Sequence, residues 1–162
     1  MPADSTTPLL RRGFLWLAGL TLVGIGSELA AERHWTQPVQ FVAWGALLVA
    51  AVAIVLVAVA PSVRRVRLAR VLAVAVILSA VLGVWEHVES NYESGELDRQ
   101  YADTWESLPE TTRWWLAVSK TVGPSPPLAP AALAEASLCV LLATLRHPAL
   151  SGSQARRTGS TG

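Results

Sequence analysis

The chain has 162 residues, of which 52% are hydrophobic and only 15% are charged, and its mean hydropathy is +0.40. A soluble domain usually carries about 25% charged residues, so this composition excludes an ordinary soluble domain and indicates an integral membrane protein. Cys139 is the single cysteine, which excludes a disulfide within the chain. The length suits one membrane domain, and the net charge of +1 conceals a strong segregation of acids and bases.

The N-terminal part predicts a disordered tail over residues 1–12, which are polar at their start and contain two prolines. Residues 13–32 form the first apolar run, long enough to cross a hydrocarbon core of roughly 30 Å at about 1.5 Å per residue. The Arg-Arg-Gly-Phe-Leu segment at 11–15 also resembles a twin-arginine export signal. Further apolar runs follow, and Glu28 suits cleavage poorly, so an uncleaved first helix is favoured.

Three more spanning helices are predicted, at residues 39–60, 70–89 and 128–146. The first of these runs has no charged residue and is followed by Pro61, which cannot continue a helix. The membrane domain as a whole is expected to cover residues 13–147. Residues 148–162 are rich in Ser, Gly, Thr and Arg, which predicts a second disordered tail.

The long connection at 90–127 differs in kind, because its first half is acidic and its second half is rich in tryptophan and proline. It is predicted to be a partly helical loop between the third and fourth helices. The best helical candidate is Pro109–Lys120, since proline suits a helix start and a basic residue complements a helix end. Gly123 is expected to end this helix.

Basic residues predict the orientation, because they concentrate on the cytoplasmic side of a membrane. With four spans, nine of the 13 Lys and Arg residues fall on the side that holds both termini: Arg11, Arg12, Arg64, Arg65, Arg67, Arg70, Arg146, Arg156 and Arg157. The prediction is therefore an all-α bundle of four transmembrane helices in a bacterial plasma membrane, multi-pass, with both termini cytoplasmic and an extracytoplasmic 90–127 loop. Because a basic membrane flank is what topology requires, nucleic acid is not predicted as a partner.

Polar residues gather where the first and third helices leave the membrane on the outer side. Spacings of three and four residues place several of them on common helix faces. An ionisable residue near the membrane is costly unless it is solvated, paired or bound. We therefore predict an outward-facing polar pocket formed by Glu28, Glu32, Glu86, His87, Glu89, Asn91 and Glu135.

Three interpretations of this pocket are open. Carboxylates with an imidazole suit a divalent metal ion such as Zn, Mn or Fe(II), for which Glu86, His87, Glu28 and Glu135 are the candidate ligands. Cation or proton passage would use Glu28 and Glu135. The third interpretation is structural: a solvated helix exit, with Glu28 and Glu135 hydrogen-bonded between helices. Six of the seven tryptophans fall at the outer level, which is typical of an interfacial aromatic belt.

No enzymatic motif is present: the chain lacks a Gly-rich phosphate loop, a Cys pair, His-Glu-x-x-His and Gly-x-Ser-x-Gly. The segment Glu86–Glu93 (Glu-His-Val-Glu-Ser-Asn-Tyr-Glu), with Trp105, Trp114-Trp115 and the 124–130 proline segment, resembles small uncharacterised four-helix membrane proteins of actinobacteria and related bacteria. That resemblance implies the four-helix fold and transfers no activity.

The function predicted from the sequence is a non-enzymatic accessory or binding subunit of the plasma membrane. Its expected partners are the lipid bilayer and a larger membrane complex or further copies of the chain. A metal-binding protein or a cation- or proton-coupled transporter is the alternative, and a membrane enzyme is the second alternative.

Overall fold

The computed structural model describes residues 6–59 and 61–150, and within them the chain is helical and contains no strand. This confirms the all-α prediction for the described part of the chain. Short 3-10 turns occupy Pro38–Gln40, Ser94–Leu97 and Trp105–Ser107. The α-helices in chain order are α1 (Thr6–Ala31), α2 (Phe41–Ala58), α3 (Val63–Glu93), α4 (Glu110–Val118) and α5 (Ala131–Ala143).

Three helices, α1, α2 and α3, are long and apolar enough to cross a membrane. These three helices indicate a membrane protein by length and composition. α5 is also apolar, but its 13 residues make it shorter than a usual span. At about 1.5 Å per residue it extends for roughly 20 Å, against a hydrocarbon core of about 30 Å.

The helix bounds differ from the predicted ones at both ends of the chain. α1 begins at Thr6, so residues 6–12, predicted as part of a disordered tail, are helical. Residues 1–5 lie outside the described residues. Residues 148–150, also predicted as tail, have helical backbone, and residues 151–162 lie outside the described part.

α3 is longer than predicted, since it covers Val63–Glu93 rather than 70–89. Arginine is a good helix former, so the arginine-rich stretch after Pro61 continues into the apolar run without a break. α5 is shorter than the predicted 128–146. Pro130 precedes it, and Arg146 has a φ of 45°, which no α-helix contains.

The chain divides into two compact units. The first, here the helix unit, comprises the described parts of Met1–Ser79 and Ala132–Gly162. The second, here the tryptophan unit, comprises Ala80–Ala131 and contains four of the tryptophans. α3 contributes its first part to the helix unit and its last part to the tryptophan unit.

Small side chains form the packed faces of the helix unit. On α2 the buried residues recur at spacings of three and four: Ala46, Ala50, Ala53 and Val57. α3 repeats the pattern with Val66, Ala69, Ala73 and Val76. Alanine permits close approach of helix backbones, which is how membrane helices gain packing contacts. The opposite faces carry exposed leucine and valine, as a lipid environment requires.

The connection from α1 to α2 is closed by backbone and tryptophan hydrogen bonds. Arg33 has a φ of 52°, and His34 N donates to Leu29 O at 2.9 Å while Arg33 N donates to Ala30 O at 3.1 Å. This pair of bonds is the Schellman arrangement that ends many helices. Trp44 Nε1 then donates to His34 O at 2.8 Å, which ties the start of α2 to the end of α1.

Candidate functional site

The tryptophan unit has a hydrophobic core of its own. Its buried members come from α3, the 3-10 turn at 105–107, α4 and the residues after α4: Val88, Trp105, Leu116, Ala117 and Val122. Trp105 is only 1% exposed, and its indole ring lies against Gly95, where any Cβ would overlap the ring. The segment after α3 is therefore a folded structure with a buried anchor.

Aromatic rings extend from this core to the surface. Trp105 meets Tyr92 edge-on with centroids 5.5 Å apart, and Tyr92 stacks on Trp114 at 4.4 Å. Trp114 in turn stacks on Trp85 at 5.4 Å. The guanidinium carbon of Arg113 lies 5.5 Å from the centre of the Tyr92 ring. Each such pair contributes on the order of 0.5–1.5 kcal/mol beyond burial, so the stack rigidifies the unit.

Asn91 is fully buried, and its amide is satisfied by backbone groups distant in sequence. Nδ2 donates to Ala117 O at 3.2 Å and to Ser125 O at 2.7 Å. Oδ1 accepts from Ser125 N at 2.9 Å. Gly123 has a φ of 78° and lies so close to Asn91 that any Cβ there would overlap it. Asn91 therefore joins α3, the end of α4 and the following loop.

His87 makes the equivalent contact one turn earlier on α3. Its Nδ1 lies 2.8 Å from Pro126 O. A carbonyl oxygen only accepts, so Nδ1 donates its proton to this bond, and Nε2 is not used in it. His87 is half-buried, and the bond fixes the orientation of the ring.

The composition of the loop explains why α3 supplies these donors. Pro124, Pro126 and Pro127 have no backbone N–H, so the segment 123–127 has more acceptors than donors. Buried carbonyl groups must be paired. Asn91 and His87 provide the missing N–H groups from one face of α3, which is the face that their spacing of four residues predicts.

The structure gives the predicted pocket residues different surroundings. Within the tryptophan unit, His87 and Asn91 lie together against the 117–126 segment, whereas Glu86 is exposed and Glu89 is half-buried. In the helix unit, Glu28, Glu32 and Glu135 are all exposed. Two of the seven residues therefore have backbone partners, and a pocket shared by all seven stays a prediction.

No group of three or more His, Cys, Asp and Glu side chains that could hold a metal ion is found in residues 6–59 and 61–150. The predicted set of Glu28, Glu86, His87 and Glu135 is thus not supported by a cluster of ligands. Of the four, His87 is the residue whose hydrogen bond leaves a metal-binding nitrogen available, and one such nitrogen does not make a site.

A second polar cluster, for which the sequence has no local signal, lies at the C-terminal end of α5 in the helix unit. Arg11 Nε donates to Ala143 O at 2.9 Å. Arg70 Nε donates to Thr144 Oγ1 at 2.9 Å, and its Nη2 donates to Thr144 O at 2.6 Å. The last carbonyls of a helix lack intrahelical partners and carry partial negative charge, so two guanidinium groups satisfy and stabilise this end.

His147 completes this second cluster. It is only 5% exposed, and its Nδ1 accepts from Ala149 N at 3.2 Å. Burial lowers the pKa of His147, and the positive charges of Arg11 and Arg70 lower it further. The imidazole is therefore held neutral, with its proton on Nε2.

One face of α5 carries a carboxylate among exposed leucines. Glu135, Leu138 and Leu142 are exposed and are spaced three and four residues apart, and Leu145 continues the row. This row, here the Glu135 stripe, lies on one side of the helix. The other side of α5 is buried, with Leu133, Ala136, Val140 and Ala143 as its main members.

Comparisons of the chain with protein-family models, with curated proteins and with solved structures found no match.

Proposed function

We propose that the chain is a multi-pass plasma-membrane protein with four spans and cytoplasmic termini, acting as a non-enzymatic accessory subunit. Its partner would be another membrane protein, held through the Glu135 stripe. Three long apolar helices and the distribution of basic residues support this topology. Turns flank α5 on both sides, since Ala131 N donates to Leu128 O and Leu145 N to Leu142 O. These turns lengthen the apolar segment toward the length of a span.

The exposure of Glu135 is the observation that carries the partner role. Ionisable residues within membrane helices usually face a bundle interior, a water-filled cavity or a charged partner. Glu135 instead lies on the surface of the chain, in line with Leu138 and Leu142. The exposed fractions of these two leucines are 50% and 36%. A partner helix with a cationic or hydrogen-bond-donating side chain at that level would satisfy the carboxylate and cover the leucines.

The rigid tryptophan unit also supports a binding role. In the proposed topology, its loop segment faces the extracytoplasmic side. Trp85 and Trp115 are 53% and 68% exposed, and Trp85 is held in place by its stack on Trp114. Preordered aromatic side chains lose little conformational entropy on binding, so they suit a contact surface. The predicted polar pocket contributes less to the proposal, because the side chains of His87 and Asn91 are hydrogen-bonded to the backbone of the 117–126 segment.

Site-specific photo-crosslinking in native membranes tests this function. A crosslinking residue at Leu138 is expected to give one adduct of defined mass. The same residue at Leu48, an exposed leucine of α2, serves as the matched control and is expected to give none. Glu135→Gln should reduce the Leu138 adduct, whereas Glu28→Gln, at another exposed carboxylate, should not.

The outcomes separate the alternatives. Only lipid adducts at Leu138 would contradict the proposal, as would an adduct that Glu135→Gln leaves unchanged. An adduct of twice the chain's own mass would show that the partner is a second copy of the chain and not a different protein.

A further inference from the structure

An open groove of about 770 Å³ lies in the helix unit beside the second polar cluster. α1 and α2 pack against each other, and most of the residues that line the groove belong to these two helices. Arg11 and Arg12 form its polar end. Its walls are mostly apolar and include Leu15, Gly19, Ile54 and Val57. The groove is thus charged at one end and apolar along the rest of its length.

We propose that this groove binds one anionic phospholipid, with the phosphate at Arg12 and Arg11 and an acyl chain along Leu15, Gly19 and Ile54. The distance supports the assignment, because Arg12 and Gly19 are about two helical turns apart, which corresponds to roughly 10 Å along α1. A site of this length accommodates both a headgroup and the first part of an acyl chain.

The charges at the polar end favour an anion. Arg12 is exposed, whereas Arg11 is fixed by its bond to Ala143 O and presents its charge at a defined position. His147 also lines the groove and is neutral, and Arg70 adds positive charge to the same cluster. Basic residues beside a membrane helix attract anionic lipids with an energy that grows with each Lys or Arg.

The apolar walls favour a ligand with hydrocarbon over a soluble anion. Trp16 lines the groove with 80% of its surface exposed. Such a side chain suits contact with hydrocarbon. A bound phosphate or phosphorylated metabolite would contact only the polar end, whereas a phospholipid contacts both the arginines and the apolar walls. The site is independent of the Glu135 stripe, so each can fail without the other.

Two pairs of matched variants test the proposal. Arg12→Gln removes the phosphate contact, and Arg67→Gln makes the same charge change at an exposed arginine of α3 that does not line the groove. Gly19→Leu fills the groove, and Gly24→Leu is its control on α1. A Cβ at either glycine meets nothing within 4 Å, and leucine is a better helix former than glycine, so the backbone of α1 accepts both substitutions.

The measurement is native mass spectrometry of the purified full chain with phosphatidylglycerol, against phosphatidylcholine of the same acyl chains. We expect one retained phosphatidylglycerol per chain. Arg12→Gln should weaken its binding about fivefold, the effect of removing one basic residue from an anionic lipid site. Gly19→Leu should abolish the retained lipid, and the two control variants should retain it.

Three results would overturn the proposal. Equal retention of the two phospholipids would show a lipid contact without headgroup recognition. An equal loss in Arg67→Gln would show a general charge effect. Displacement of phosphatidylglycerol by millimolar inorganic phosphate would show a phosphate site that does not use the acyl chain.

Discussion

Asn91 and Ser125 exchange two hydrogen bonds, one in each direction. Asn91 Nδ2 donates to Ser125 O at 2.7 Å, and Ser125 N donates to Asn91 Oδ1 at 2.9 Å. The side-chain amide of Asn91 thus pairs both the backbone N–H and the backbone C=O of Ser125. Because Asn91 also bonds to Ala117 O, one residue of α3 fixes both the end of α4 and the proline-rich loop.

Replacing Asn91 by leucine of similar size should therefore destabilise the tryptophan unit. Three backbone groups would lose their partner in a buried site, and each unsatisfied group costs about 1–3 kcal/mol. We expect a loss of about 3 kcal/mol or more, measured by tryptophan fluorescence during thermal or denaturant unfolding in detergent. Glu93→Leu, at an exposed position on the same turn, is the control and should change stability little. Equal stability of the two variants would contradict the structural role of Asn91.

Gly123 should tolerate no side chain. Its φ of 78° costs an L-residue about 1–2 kcal/mol, and a Cβ would also overlap Asn91. Gly123→Ala is expected to lower stability by about 2 kcal/mol or more in the same unfolding measurement. Gly24→Ala is the control, since its Cβ meets no atom within 4 Å and alanine is the better helix former. A Gly123→Ala protein as stable as the Gly24→Ala protein would show that the loop adopts another conformation.

The sequence predicted those features that depend on local composition. Hydropathy predicted the long helices α1, α2 and α3, because twenty apolar residues carry the signal by themselves. The spacing of four residues also placed His87 and Asn91 on one face of α3, because helical periodicity brings such residues to the same side. The apolar pattern starts the third helix at residue 70, although the arginines before it continue a helix as readily as leucine does.

Contacts between distant segments could not be predicted in the same way. The sequence pattern predicts the end of this helix at Gly123, but α4 ends at Val118, and Lys120 adopts the positive φ of the capping position. Gly123 is needed for its approach to Asn91. Arg70 bonds to Thr144, 74 residues away, and no local pattern indicates that pair. The signal that could have found the Asn91 and His87 contacts was the lack of N–H donors in the proline segment.

The hydrogen bond of His87 leads to a prediction about metal. Because Nδ1 donates to Pro126 O and no ligand cluster surrounds the ring in the described residues, His87→Gln should lower stability by about 1 kcal/mol without changing metal content. Elemental analysis of the purified protein and melting in the presence of Zn or Mn are the measurements. Glu86→Gln, at an exposed position, should change neither property. Stoichiometric metal that either variant loses would restore the metal site that the sequence predicts.

His147 should make the stability of the helix unit depend on pH. The ordinary pKa of its imidazole is 6.5, and burial together with Arg11 and Arg70 lowers the pKa of His147 in the folded state. As the pH falls, the unfolded chain therefore takes up the proton first. The stability that depends on neutral His147 is fully present above about pH 6.5 and is lost progressively below it, toward the lower pKa of the folded state.

We expect the melting temperature to fall between pH 7 and pH 5, and His147→Asn should reduce the slope in this range. Asparagine has an oxygen that can accept from Ala149 N, as Nδ1 of His147 does, but it does not titrate in this range. His34→Asn is the control, because it removes another histidine of the helix unit outside this cluster. An unchanged slope in His147→Asn, or an equal reduction in His34→Asn, would assign the pH dependence to other groups. Anionic lipid in the neighbouring groove should oppose the arginine charges, so added phosphatidylglycerol should make the wild-type slope shallower.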